Sequence, residues 1–339
     1  MTGPALFTFD DLADVRRFYR DADTSATPMV ELPALARSVG AGRLLVKDES
    51  MRFGLPAFKI VGVRYAVSRV LSSSPQPVTA LAAATAGNHG RAVARVARDC
   101  GLRAHIYVPA GTHPARVEAL RGEGADVRVT SVGYDDTVRL LAGDAQADGW
   151  TIVSDTAWPG YEDVPRWIMA GYTHILDEVR GQGGFAGDPQ RMLVMVQAGV
   201  GSLAGAVAGW LDATFGTSRP RLVVVEPEGS ACLGASVHAG IRTTLPEAAP
   251  TSMVGLRCAE VSTIAWPILH TTLDHAVTVT DAEVDAAIAR LARPLPGDSA
   301  VRSGPSGAAG VAALLAQCGL PPLAGRTVLV INTEGPLVG

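Results

Sequence analysis

Lys47-Asp48-Glu49-Ser50-Met51-Arg52-Phe53-Gly54-Leu55-Pro56-Ala57-Phe58-Lys59 is the stretch on which the reading of this 339-residue chain turns. Its last residue is a lysine in apolar company, after Ala57-Phe58 and before Ile60-Val61-Gly62-Val63. A lysine that cannot reach water there is disfavoured as a cation. A neutral amine in a closed pocket is the form that makes a Schiff base with an aldehyde. The plain alternative is a lysine at a helix start whose stem packs while its head stays solvated. Lys47, Asp48 and Glu49 read as a solvated or paired cluster rather than as chemistry.

Two later segments favour the chemical reading of Lys59. Leu193-Val194-Met195-Val196-Gln197-Ala198-Gly199-Val200-Gly201-Ser202-Leu203-Ala204-Gly205 reads as a buried strand, a small-residue turn and a helix. Such a turn lets backbone N–H groups converge on an anion where the helix dipole also favours negative charge. Thr85-Ala86-Gly87-Asn88-His89-Gly90 sits between the strand-like Val78–Ala83 and a helix carrying Val93, Val96, Ala97 and Cys100. It offers a second set of turn amides and an Asn side chain. A Schiff-base lysine, a phosphate cup and a carboxylate site together suit pyridoxal phosphate with an amino-acid substrate.

Composition fits an enzyme with an ample core: 47% of residues are apolar, 18% are charged, and the formal net charge is −4. That balance excludes disorder and gives no basic footprint for nucleic acid. No apolar run approaches the ~20 residues of a membrane span, and the N-terminus lacks a signal-peptide pattern, so the chain reads as cytoplasmic. The cysteines Cys100, Cys232, Cys258 and Cys318 are too few for a disulfide framework in a chain this long. Short β-rich runs are expected at 43–46, 78–83, 105–108, 127–130, 151–153, 193–196, 222–225 and 327–331. Helical stretches lie between them. Pro114 opens one that Gly122 closes, and Thr280 with Glu283 makes a capping box ahead of Val284, Ala287, Ile288 and Leu291. The alternation predicts α/β architecture with a parallel sheet.

The chain resembles the fold-type II pyridoxal-phosphate enzymes (the tryptophan synthase beta-like superfamily), and within them diaminopropionate ammonia-lyase. The likeness runs from about Thr27-Pro28 to Thr333-Glu334-Gly335. It rests on the 47–59 block, Gly87-Asn88-His89-Gly90-Arg91, the 134–140 block, Asp155-Thr156-Ala157-Trp158-Pro159-Gly160-Tyr161, Pro165–Met169, Met253–Glu260 and Ile331–Gly335. The resemblance implies a large domain, 1–76 plus 166–339, with a small domain inserted at 77–165. It implies a homodimer and pyridoxal 5'-phosphate as cofactor. Lys59 would hold the cofactor and remove the substrate Cα proton, with Phe58 fixed beside it. Gly199, Val200, Gly201, Ser202 and Leu203 would hold the phosphate, Asn88 the ring hydroxyl oxygen and Thr333 the pyridine nitrogen. A neutral hydroxyl there leaves that nitrogen largely unprotonated. Thr85, Ala86, Gly87 and His89 would surround the substrate carboxylate, Asp155 would act near the leaving group, and Tyr134 and Trp158 would wall the pocket. Bland readings stand beside these: a strand-end hydroxyl for Thr333, a turn residue for Asp155, a packing ring for His89 and core aromatics for Tyr134 and Trp158.

Departures from the subgroup pattern are specific. Ala86 stands where the subgroup has an aspartate that serves as a second base and admits D-substrates. Pro305 replaces an acidic residue near Ser303–Gly307. Glu226 falls where related enzymes place a metal ligand, but Cys232 takes the position of the second carboxylate, so no metal is expected. Cys232 and Cys258 match a cysteine pair of some members, and a disulfide and two reduced structural thiols are both open. The implied activity is elimination of ammonia from L-2,3-diaminopropionate or a related β-substituted L-amino acid, giving a 2-oxo acid. Alternatives are L-serine or L-threonine dehydration, β-replacement, and a non-catalytic pyridoxal-phosphate-binding protein.

Overall fold

A computed structural model describes residues 6–22, 24–317 and 319–336. Among them ten strands form two sheets: β1 (Met29–Glu31), β2 (Arg43–Asp48), β3 (Ala80–Ala84), β4 (Arg103–Val108), β5 (Asp126–Val129), β6 (Thr151–Ile152), β7 (Met192–Gln197), β8 (Arg221–Pro227), β9 (His275–Val279) and β10 (Thr327–Asn332). The chain divides into two compact units. One comprises residues through Arg52, Pro56–Phe58 and Tyr172–Pro336; the other comprises Phe53–Leu55 and Lys59–Gly171.

The first unit holds a six-stranded sheet in the order β1-β2-β10-β7-β8-β9. All neighbours are parallel except β1, which runs antiparallel to β2. Its central strands read as near-continuous apolar runs, as expected of strands covered on both faces; every residue of β7 is buried. Val46, Val330 and Met195 lie side by side across the sheet and belong to one apolar core. Thr280 and Glu283 form the expected reciprocal cap at the start of the helix Asp281–Ala292, which packs against the helix Pro305–Ala316. Pro305 occupies the first turn of that second helix, where its missing N–H costs nothing. Strands β1 and β9 escaped the sequence reading. Both are edge strands: β1 is three residues long and only partly buried, and β9 buries only Val277 and Val279.

Lys47, Glu49 and Arg52 are paired and buried in this unit. Lys47 Nζ lies 2.7 Å from Glu178 Oε2, and the Arg52 guanidinium lies 2.6 Å from Glu49 Oε1 and 2.7 Å from Glu178 Oε2. The Thr27 hydroxyl donates to Glu49 Oε1 at 2.6 Å. Burial alone would raise the Glu178 carboxyl, but the hydrogen bonds and charges of Arg52, His174 and Lys47 hold it well below the usual range. Such a cluster is tolerated in a core only because each charge meets an opposite one and further donors.

The second unit holds a parallel four-stranded sheet, β5-β4-β3-β6. This unit is larger than the inserted domain expected at 77–165, because 59–76 and 166–171 group with it. The helix Lys59–Ser73 packs on the helix Asn88–Asp99, and Gly171 lies against Gly62 and Tyr65. Among the described residues no helix is long and apolar enough to cross a membrane.

Candidate active site

Lys59 is the first residue of the helix Lys59–Ser73. Ile60, Val61 and Val63 are buried in that helix, while the lysine Nζ donates to Asp155 Oδ2 at 2.6 Å. The apolar company read from the sequence therefore belongs to its neighbours; the amine itself meets a carboxylate from 96 residues away in the chain. Burial alone would raise the Asp155 carboxyl, but the Lys59 ammonium and then His89 overcome it and hold it well below the usual carboxylate range. Asp155 stands just beyond β6, in a turn braced by Tyr161. The Tyr161 hydroxyl donates to Ile152 O and accepts from Ser154 N, both at 2.9 Å. Trp158 stacks on the Tyr161 ring at 4.0 Å and is 38% exposed, and Tyr134 is 56% exposed at the start of its helix. Neither aromatic is a core residue. Trp158 supports the Asp155 turn through Tyr161, a part of the motif whose role the sequence reading left blank.

The 85–90 segment links β3 to the helix Asn88–Asp99. Thr85, Ala86, Gly87 and Asn88 are half-buried, with Gly87 as N-cap and no side chain capping the helix. Gly90 is required by close approach: a Cβ there would meet Thr85 O at 2.8 Å. His89 turns inward, with Nε2 2.8 Å from Val153 O. A carbonyl only accepts, so Nε2 carries the hydrogen. His89 Nδ1 faces Asp155 Oδ2 across 3.8 Å, outside hydrogen-bond reach. Its imidazole thus backs Asp155, which leaves only its backbone amide for the substrate role read from the sequence.

In the first unit, Gly199-Val200-Gly201 joins β7 to the helix Ser202–Phe215. Gly201 is the N-cap at φ +88°, a conformation that disfavours any side chain, and no side chain caps this helix. Ser202 and Leu203 are buried in its first turn. The 253–262 segment backs the turn: Cys258 Sγ, Gly255 O and Leu256 Cα crowd Gly199, and Ser262 N donates to Val200 O at 2.8 Å. That gives the 253–260 block a physical role that its sequence did not reveal. Thr333, 3% exposed, follows β10; its carbonyl accepts from Phe58 N at 3.1 Å, and Phe58 packs on Tyr172 at 4.8 Å between ring centroids. The Thr333 hydroxyl accepts from Gln197 Nε2 at 2.6 Å. Gln197 is a contact of Thr333 that only the structure shows, although a lone amide ending the apolar run Met192–Val196 is visible in the sequence.

Cys100 and Cys232 are free thiols, Cys258 Sγ packs against the Gly199 turn, and Cys318 lies outside the described residues. Glu226 is fully buried and accepts the amides of Leu233 at 2.8 Å and Gly234 at 2.7 Å, capping the helix Cys232–Ala239. Burial pushes its carboxyl up to about 7 against those two bonds. Among the described residues no group of three His, Cys, Asp or Glu is placed to hold a metal ion.

These residues fit pyridoxal phosphate: an amine for covalent attachment, a glycine turn at a helix start without a side-chain cap for the phosphate, and a buried hydroxyl for a ring heteroatom. The family model for pyridoxal-phosphate dependent enzymes matches residues 22–334. The chain belongs to that family. Over 97% of its length this enzyme is 36% identical to diaminopropionate ammonia-lyase from Escherichia coli (strain K12), of which it covers 89%. It is 28% identical to the serine dehydratase-like protein of Homo sapiens, over 78% of this chain and 75% of that one. The solved structure of Escherichia coli diaminopropionate ammonia-lyase in complex with an aminoacrylate-PLP azomethine reaction intermediate matches with a TM-score of 0.88 and 36% identity, covering 99% of this chain and 91% of that one. A threonine deaminase from T.th., 24% identical with a TM-score of 0.82 over 98% of this chain and 99% of that one, shares the fold. The fold is thus fold-type II α/β.

For this enzyme Gly201→Asp is expected to lower cofactor affinity by more than Gly201→Ala. Both variants carry the strain of φ +88° and meet Leu269 at 3.0 Å, but only Asp adds a negative charge at the turn where a phosphate would bind. Cofactor retained after dialysis, measured by absorbance, separates the two. Equal retention by both would show that no phosphate sits at this turn.

Proposed function

We propose that this enzyme eliminates ammonia from L-2,3-diaminopropionate or a closely related β-substituted L-amino acid. One ammonia leaves Cβ as the Cα proton is removed; hydrolysis of the resulting enamine gives pyruvate and a second ammonia. Bound pyridoxal phosphate supplies the electron sink for the carbanion at Cα. Lys59 holds the cofactor and then takes the Cα proton. Asn88 serves the ring hydroxyl, the turn at Gly199–Leu203 binds the phosphate, and Thr333 faces the ring nitrogen. Thr85 and the amides of Gly87 to His89 bind the substrate carboxylate at a helix start. Tyr134 and Trp158 would border the substrate. A homodimer, which rests on the resemblance alone, and a cytoplasmic location complete the reading.

The observation that carries the choice of substrate is the placement of the Asp155 carboxylate, 2.6 Å from Lys59 Nζ. An ionised carboxylate attracts a β-ammonium group, which departs as neutral ammonia and needs no proton from the protein. An ionised carboxylate has no proton to give to a hydroxide leaving group, which disfavours serine.

The test is a comparison of L-2,3-diaminopropionate, L-serine and L-threonine, with 2-oxo acid and ammonia both quantified. We expect two ammonia per pyruvate from the diamine, and kcat/KM for serine lower by at least ~100-fold, the scale of a missing general acid. A serine rate equal to the diamine rate overturns the reading. So does a new amino acid replacing pyruvate when a thiol is added, or a holoprotein that turns over none of the three.

A further inference from the structure

We propose that Gln197 is a positioning residue that fixes the Thr333 hydroxyl as a hydrogen-bond donor and thereby keeps the cofactor ring nitrogen an unprotonated acceptor. This rests on the reading that places Thr333 at that nitrogen.

The direction of the hydrogen bonds follows from geometry. Gln197 ends β7 and is 2% exposed. One of its terminal amide atoms lies 3.2 Å from Ile331 O and 2.6 Å from Thr333 Oγ1. The Ile331 carbonyl can only accept, so that atom must be the amide nitrogen. The nitrogen has two hydrogens, and the two oxygens use both. Thr333 Oγ1 is therefore an acceptor toward Gln197, and its single proton points elsewhere. The backbone cannot swing to change this, because Thr333 O is held by Phe58 N at 3.1 Å.

A hydroxyl whose lone pair is occupied in this way offers a proton to whatever faces it. A pyridine nitrogen facing it must present a lone pair, and a ring nitrogen that already carries a proton would meet a donor head-on. A carboxylate at position 197 would reverse the arrangement. It would take the Thr333 proton, turn the hydroxyl lone pair outward and favour a protonated ring.

A purely structural role for Gln197 is poorly matched to what the site shows. Its Oε1 is buried with no hydrogen-bond partner among the described residues. A side chain present only to fill space would avoid leaving a buried acceptor unsatisfied. The amide is held in this orientation at a cost, and the Thr333 hydroxyl is what it controls.

The test uses holoenzyme carrying pyridoxal phosphate labelled with 15N at the ring nitrogen, in wild type, Gln197→Glu, Gln197→Leu and Thr333→Val. In wild type the 15N resonance is expected at the position of an unprotonated, hydrogen-bonded pyridine across the stable pH range. Gln197→Glu should move it to the protonated position, referenced to the free cofactor in acid, with full cofactor content and kcat lower by roughly 10- to 100-fold, the usual scale for losing a supporting partner. Gln197→Leu frees the hydroxyl to rotate and should give an intermediate or pH-dependent shift. If Thr333→Val moves the resonance while neither Gln197 variant does, Gln197 is only structural and the proposal fails. If Thr333→Val leaves the resonance unchanged, the placement of Thr333 at the ring nitrogen fails instead, and the proposal with it. Elimination of ammonia could still be this enzyme's reaction in either case, because the substrate comparison tests that separately.

Discussion

Lys59→Ala is expected to abolish turnover by at least ~10^4-fold, the upper end of what one positioned proton-transfer group contributes. The same variant should leave no cofactor attached to any lysine after borohydride reduction and peptide mapping. On the proposed reading Lys59 does two things with one amine: it holds the cofactor covalently and takes the Cα proton. The structure adds a partner, Asp155 Oδ2 at 2.6 Å. A carboxylate there orients the amine and would pair with it whenever it is not attached to the cofactor. A reduced label on Lys47 instead would contradict the assignment. Lys47 is fully buried, with its Nζ already committed to Thr27 O, Glu178 and Gln182, so no label is expected on it.

The second large effect is stereochemical. L-2,3-diaminopropionate is expected to react at least ~100-fold faster than its D-enantiomer, the scale of losing one general base. The Cα–H bond to be broken must stand perpendicular to the cofactor plane, so each enantiomer needs a base on its own face. Lys59 supplies one. Position 86 would supply the other, and Ala86, half-buried in the loop ahead of Asn88, carries only a methyl group. Asp155 is no substitute while its Oδ2 is bonded to Lys59 Nζ, since that places it with the first base. Ala86→Asp should raise D-activity without removing L-activity, read by pyruvate release from each pure enantiomer. Comparable wild-type rates on the two would mean that the second base lies elsewhere.

Much of the fold was legible because parallel strands buried on both faces leave continuous apolar runs. The runs at 193–196, 222–225 and 327–331 are the cores of β7, β8 and β10. Local chemistry was legible for the same reason: the Thr280–Glu283 cap depends on residues three apart, and the Gly201 turn depends on one residue's allowed φ. The candidate lysine, the glycine turn and the strand-end threonine are likewise visible as residue types in a pattern.

Tertiary structure alone decided who meets whom. Lys59 looked apolar because its sequence neighbours are, yet helical geometry buries those neighbours and brings the amine to Asp155. Lys47, Asp48 and Glu49 read as a solvated or paired cluster; Glu178, more than a hundred residues later, completes a buried paired network with Lys47, Glu49 and Arg52. Tyr161 as the brace of the Asp155 turn, the 253–262 segment behind the glycine turn and Gln197 beneath Thr333 all depend on contacts between elements. Periodicity and spacing encode which face of an element is buried. They do not encode which side chain lies opposite it, and the direction of a hydrogen bond is set only once both partners and their remaining donors and acceptors are in place.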